Sequence, residues 1–179
     1  MAAHQSRCGS QSCLTRCLSC VFHSGFPLIQ KLREQKTMTV KKASAVWKGG
    51  IKDGEGTIST ETGVLKDAPY GFKSRFENGK GTNPEELIGA AHAGCFSMAL
   101  SLMLGNEGLT AEKIETYAEV TLDKVGEGFE ITASHLKVTA KIPGADQAKF
   151  MQIANKAKEG CPVSKLLKAK ITMDARLET

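Results

Sequence analysis

Cysteine is the side chain in this 179-residue chain with the most reactive chemistry, and its six copies fall into two groups. Cys8, Cys13, Cys17 and Cys20 crowd the first segment, whereas Cys95 and Cys161 stand alone in the rest. Cys95 lies inside an uncharged apolar run, where a thiol is ordinarily an inert core side chain. Cys161 directly precedes Pro162, at the start of a short helical segment, where unpaired N–H groups and the helix dipole favour a thiolate. One thiol within a helix and a second at a helix start are what a reversible disulfide requires, provided that the fold brings them together. His92 lies three residues before Cys95 and so shares nearly the same helix face. It reads either as a base for the thiol or, more in keeping with an apolar helix, as a hydrogen-bonded core or interface histidine.

The elements that must position these groups follow from periodicity. Ala43 to Trp47, Thr57 to Thr60 and Tyr70 to Phe76 read as extended segments. In the last of them Tyr70, Phe72, Ser74 and Phe76 share one face, which turns Arg75 away from the aromatic side. Asn83-Pro84-Glu85-Glu86 is a helix start, with Asn83 as N-cap, Pro84 at the first position and Glu86 placed to complete a capping box. That helix is expected to run to Leu104 and to stop at Gly105. Its body, Leu87 to Leu104, carries no charge and is apolar or small on every face, so it must be covered on all sides. Length alone would allow a membrane span, but His92, Ser97, Ser101, Gly89 and Gly94 break the run, and a core helix partly covered by a second subunit is the expectation.

Glu115 to Val125 and Phe129 to Ile142 read as a hairpin around Gly126-Glu127-Gly128, with a bulge near Ser134 where the apolar phase changes. A helix is expected over Asp146 to Lys158 and a short one from Pro162 to Lys168. Ile171 to Leu177 alternates cleanly as a strand. The order βββ-α-ββ-αα-β is an α+β pattern with mainly antiparallel sheets.

Read alone, Arg75 is a solvated strand residue and Glu85 a first-turn dipole partner. Two longer stretches change that. Gly81 to Leu100, GTNPEELIGAAHAGCFSMAL, and Lys156 to Lys165, KAKEGCPVSK, closely resemble the OsmC/Ohr family of organic hydroperoxide reductases, in its OsmC branch. Trp47, the stretch Gly56 to Leu65 and Tyr70 to Phe76 fit the same pattern, and the resemblance covers Met38 to Thr179. Gly94, where the family usually has alanine, is a small departure. The resemblance implies an intertwined homodimer with long buried central helices packed between sheets. It also implies a peroxidatic cysteine at Cys95, a resolving cysteine at Cys161, an Arg–Glu pair at Arg75 and Glu85, and a dithiol reductant, with lipoyl groups on a partner protein as the candidate. No cofactor or metal is implied for this domain.

The residue types suit that chemistry. A thiolate attacks the terminal peroxide oxygen and becomes a sulfenic acid, which a second thiol converts to a disulfide. Burial raises the pKa of a thiol, so a fixed cation must reverse the shift, and Arg75, oriented by Glu85, is the candidate. A non-enzymatic protein that senses oxidation or binds a lipid-like ligand is the alternative, and sustained turnover separates the two. The net charge of +5 does not point to nucleic acid, because residues 1–37 hold +4 of it and no basic stripe with interleaved aromatics remains.

Residues 1–37 carry Arg7, Arg16, Lys31, Arg33 and Lys36 against Glu34 alone. They show no sustained period and have no counterpart in the family pattern. The first reading is an upstream start or extension outside the domain. The second is an organelle transit peptide, acid-poor and containing Ser and Arg, which would replace an otherwise cytoplasmic expectation. The third is a metal site at Cys17, Cys20 and His23. A protein beginning at Met38 is expected to keep its fold, dimer and activity, as read by circular dichroism, light scattering and peroxidase rate. Loss of bound zinc together with loss of folding on that truncation would establish the metal site instead.

Overall fold

In the computed structural model, residues 39–178 are described; the readings made for residues 1–37 lie outside them. Two three-stranded sheets and four helices follow one another in the order β1 (Ala43–Lys48), β2 (Glu55–Thr60), β3 (Ala68–Tyr70), α1 (Phe72–Phe76), α2 (Pro84–Asn106), β4 (Lys113–Val125), β5 (Gly128–Lys141), α3 (Gln147–Gly160), α4 (Pro162–Leu166) and β6 (Lys170–Glu178).

The first sheet is an antiparallel meander, β1–β2–β3. Gly56 of β2 faces Tyr70 of β3, and a Cβ on Gly56 would sit 2.3 Å from the tyrosine ring, so only glycine fits there. Tyr70 in turn packs against Trp47 with ring centroids 5.4 Å apart. All of β1 is exposed in the single chain.

The expected third strand ends early. Tyr70 is its last residue, and Phe72 to Phe76 coil into α1 instead of continuing extended. Ser74 makes the difference: its hydroxyl accepts the Gly71 N–H and lies 2.8 Å from the Thr82 carbonyl, which it can donate to, tying the turn to the residue before the next N-cap. Arg75 therefore projects from a helical turn and not from the polar face of a strand.

The central helix α2 begins as its sequence indicates. The Asn83 side chain accepts the Glu86 N–H at 2.8 Å, and Pro84 occupies the first turn. The box is one-sided, because the Glu86 carboxylate takes the Thr82 hydroxyl at 3.0 Å in place of the Asn83 N–H. Gly105 does not stop the helix, which continues to Asn106. The reversal needs a left-handed residue, and Gly108 supplies it at φ 72°.

At four-residue spacing His92, Phe96, Leu100 and Leu104 form one fully buried stripe of α2. They join a core with Leu136, Val138 and Ala140 of β5 and Phe150, Ile153, Ala154 and Ala157 of α3. Ser97 ties the helix to β4 through a 2.8 Å hydroxyl contact with Thr116. The opposite stripe is uncovered in the single chain: Met98 is 75% and Leu102 67% exposed, with Gly94 and Gly105 beside them. The cover expected on every side of α2 is thus present on one side within one subunit. By length and apolarity α2 could also cross a bilayer, but its sealed stripe packs against protein.

The β4–β5 hairpin turns at Gly126-Glu127 with the expected antiparallel pairing. Thr121 pairs Ala133 while Leu122 pairs Ile131, leaving Thr132 as the extra residue. Thr132 gives its hydroxyl to Asp123 across the hairpin, and this bulge is what switches the apolar phase between Ile131 and Ser134. The last strand departs from the antiparallel expectation. β6 lies parallel to β5, because α3 and α4 form a crossover that returns the chain in the same direction. The fold is α+β with mixed sheets.

Candidate functional site

Cys161 is placed by the junction of two helices. It caps the end of α3, its N–H bonding to Ala157 at 2.9 Å, and it is also the N-cap of α4, whose first residue is Pro162. Proline has no N–H to lose at that position, so α4 can start directly after the thiol. The first turn of α4 lies against α2, and Cys95 packs against the buried cluster that contains Cys161, close enough for each thiol to shift the other's acidity. Both are free thiols. The two cysteines singled out in the sequence are therefore neighbours across 65 intervening positions.

Their environments differ from the simplest expectation. Cys161 is fully buried, while Cys95 is only partly covered. Burial pushes the Cys95 thiol up, and the neighbouring Cys161 adds to that rise against one N–H from Val163. Burial acts the same way on Cys161, but the N–H of Ser164, the Cys95 thiol, the Ser164 side chain and the N–H of Val163 together bring it below the usual thiol range. Within one subunit the more acidic sulphur is the less accessible one. The accessible sulphur, Cys95, has no cation among the groups that set its acidity.

The cation is elsewhere in the subunit. Arg75 of α1 grips Glu85 in the first turn of α2: Nη2 donates to Oε1 at 2.6 Å and Nε donates to both carboxylate oxygens at 3.2 Å. Phe72, Phe76 and Phe129 cluster beside the pair, the Arg75 guanidinium lying 5.3 Å from the centre of the Phe76 ring. Sequence and structure agree that Arg75 and Glu85 form a pair. The structure does not bring that pair to the Cys95 of the same chain, since α2 is unbroken and places Glu85 ten residues before Cys95, roughly 15 Å along the axis.

His92 is not a base for Cys95. Its Nδ1 lies 2.8 Å from Ser134 Oγ of β5 and its Nε2 lies 2.8 Å from Ser164 Oγ of α4, so both ring nitrogens are occupied. Burial lowers its pKa, which favours the neutral ring. Ser134 and Ser164 escaped attention in the sequence. The signal for Ser164 was its place three residues after Cys161, one helical turn on, while Ser134 gave only the phase break in β5. An open cavity of about 780 Å³ lies between the first sheet and α1 with Lys48, Tyr70 and Lys73 on its walls, and it holds none of the candidate residues.

Comparison with known proteins places this geometry in context. The family described as OsmC-like protein matches residues 77–176. The chain is 60% identical over 143 residues to peroxiredoxin OsmC of Escherichia coli (strain K12), covering 79% of this chain and 100% of that protein. It is 30% identical over 124 residues to organic hydroperoxide resistance protein OhrB of Bacillus subtilis (strain 168), covering 69% and 88% of the two chains. Among solved structures, an organic hydroperoxide resistance protein OsmC from Legionella pneumophila superimposes with a TM-score of 0.61 at 26% identity, over 80% of this chain and 100% of that one.

Proposed function

The chain belongs to the OsmC branch of the OsmC/Ohr family, and from that premise we propose that it reduces organic hydroperoxides with Cys95 as the attacking thiolate and Cys161 as the thiol that resolves it. It is a hydroperoxide-reducing enzyme, which sets aside the purely sensory or ligand-binding alternative. The observation that carries the two-cysteine reading is the meeting of the Cys95 and Cys161 thiols at the first turn of α4.

Access decides which thiol attacks. Cys95 is partly open and Cys161 is sealed, so a peroxide reaches Cys95 first. The Cys95 thiolate displaces the alcohol from the terminal oxygen and becomes a sulfenic acid; Cys161 then attacks the Cys95 sulphur, forming the disulfide and releasing water. A dithiol reduces the disulfide, and a lipoyl group on a protein has the right chemistry.

The raised pKa of Cys95 requires a cation that its own subunit does not deliver. In this reading the Arg75–Glu85 pair of a second copy supplies it. The uncovered stripe of α2, Gly94, Met98, Leu102 and Gly105, is where a second α2 packs, in an intertwined homodimer. Two such helices antiparallel about a two-fold axis bring the start of one toward the middle of the other. The guanidinium then holds the Cys95 thiolate and donates to the peroxide oxygens, Glu85 keeping it oriented. Phe76 and Phe129, 40% and 58% exposed in the single chain, give that site an apolar wall for an organic substituent.

A peroxidase assay with dithiothreitol tests the reading. Cumene hydroperoxide and a fatty-acid hydroperoxide are expected to be consumed over many turnovers and faster than hydrogen peroxide. A protein that oxidises once and stops, or that turns over hydrogen peroxide alone, would overturn it.

A further inference from the structure

The proposed chemistry at Cys95 makes no use of the cavity between the first sheet and α1, yet its walls carry a distinct pattern. Four lysines line it: Lys48 from β1, Lys52 from the turn after β1, Lys73 from α1 and Lys80 from the loop that follows α1. All four are exposed, and among the described residues none of them takes part in an ion pair. Asp53 and Glu55 share the walls, so four positive charges against two negative leave a net +2. Residues 38–179 together carry only +1, the total of +5 less the +4 of residues 1–37, so the cavity holds more positive charge than the domain as a whole. Its volume of about 780 Å³ is that of a small-ligand site.

The remaining walls lead toward Arg75. Tyr70 and Phe72 line the same space. Phe72 packs on Phe76 with ring centroids 4.9 Å apart, Phe76 packs on Phe129 at 5.5 Å, and the Arg75 guanidinium lies 5.3 Å from the centre of the Phe76 ring. A run of aromatic rings thus joins the lysines to the Arg75–Glu85 pair. Gly71 leaves the near end of that run open. Its φ of −177° is extended backbone that any residue adopts, and a Cβ there would meet only the Gly54 carbonyl, at 3.7 Å. Neither strain nor crowding calls for glycine, and what a larger side chain would take up is space on the cavity wall.

We infer that this cavity is the subsite for the anionic end of an acyl hydroperoxide, with Lys48, Lys52, Lys73 and Lys80 as specificity-determining residues. The inference rests on the reading of Arg75 as the group that meets the peroxide. A fatty-acid hydroperoxide suits both ends: its carboxylate lies among the ammonium groups, its alkyl chain along Phe72 and Phe76, and its peroxide group at the guanidinium. A phosphate headgroup on the same chain offers the lysines the same charge. A neutral substrate such as cumene hydroperoxide uses the Arg75 end alone. No bond forms or breaks in the cavity, so its effect falls on KM and not on kcat. Exposed ammonium groups each contribute modestly, and salt screens them.

Steady-state kinetics of the full-length enzyme with dithiothreitol test the subsite. The substrates are a fatty-acid hydroperoxide, its methyl ester and the same acyl hydroperoxide as a lysophosphatidic acid, each below its micelle concentration, with cumene hydroperoxide as reference. The wild type is expected to show a KM for the acid roughly fivefold or more below that for the ester at similar kcat, a difference that shrinks as salt is added. Lys73→Gln/Lys80→Gln is expected to bring the ester-to-acid ratio of KM toward one, and Lys73→Arg/Lys80→Arg, which keeps the charge, to retain it. Gly71→Leu lowers the same ratio with every lysine in place. The phosphate-ended substrate matches the acid if charge alone is read and matches the ester if a carboxylate is required, and both results support the subsite so long as the acid keeps its advantage. Equal KM for acid and ester in the wild type, or a ratio unchanged in both the glutamine pair and Gly71→Leu, overturns it. If cumene hydroperoxide is not turned over, the peroxidase reading itself fails; if it is turned over while acid and ester behave alike, the subsite alone fails.

Discussion

Cys95→Ser is expected to lose roughly a thousandfold or more of the hydroperoxide turnover, because it removes the more accessible of the two thiols among the described residues. Cys161→Ser is expected to behave differently: without a reductant it consumes about one equivalent of peroxide per subunit and then stalls as a sulfenic acid open to overoxidation. The two outcomes matter because acidity and access point in opposite directions within one subunit. Cys161 has the lowered pKa, from the N–H groups of Ser164 and Val163 working against its burial, and on acidity alone it would be the nucleophile. Cys95 is raised by burial but accessible. A thiolate that no peroxide can touch does not react, so access is the stronger criterion. Peroxide consumption and mass spectrometry of the two sulphurs check the assignment. Normal dithiol-dependent turnover in Cys161→Ser together with activity in Cys95→Ser would sink the two-cysteine mechanism.

The sequence made most of the frame legible, and where it did not, a specific contact explains the failure. The start of α2 was readable because Asn83-Pro84 followed by two glutamates is a local signal that needs no tertiary help. The β5 bulge was readable because an inserted residue must move every later side chain to the other face, and the apolar positions record that shift. Tyr70 to Phe76 misled, since a few alternating aromatics are as compatible with a short helical turn as with a strand, and it is the Ser74 contacts with Gly71 and Thr82 that choose. The parallel pairing of β6 was hidden because a crossover direction depends on how α3 and α4 pack, not on the strand's own pattern.

The site was less legible than the frame. Taken one at a time, Cys95, Arg75 and Glu85 have ordinary structural explanations, and only the resemblance of the surrounding stretches lifted them above those. The structure adds what no local pattern holds, namely that Cys95 meets Cys161, that Arg75 grips Glu85, and that His92 turns toward Ser164. Pair contacts between residues distant in sequence leave no trace in composition or period.

The second large effect concerns where Arg75 and Glu85 act. A distorted α2 could have carried Glu85 back to its own Cys95, but the helix runs without a break from Pro84 to Asn106, and a rise of about 1.5 Å per residue keeps the two apart. Each subunit thus holds a thiol without a cation and an Arg–Glu pair without a thiol. If a two-fold axis joins them, neither subunit is active alone and each site takes one half from each chain. Glu85→Ala in both subunits is then expected to lose most activity, since the guanidinium is no longer held. The deciding measurement uses heterodimers that combine a Cys95→Ser subunit with a Glu85→Ala subunit, isolated with two different affinity tags. With shared sites, one site receives both lesions and the other receives none, so activity stays at about half of wild type. With sites built inside one subunit, one site lacks the thiol and the other lacks the carboxylate, and activity falls to that of the homodimeric variants. Activity near zero in the heterodimer would therefore eliminate the shared site.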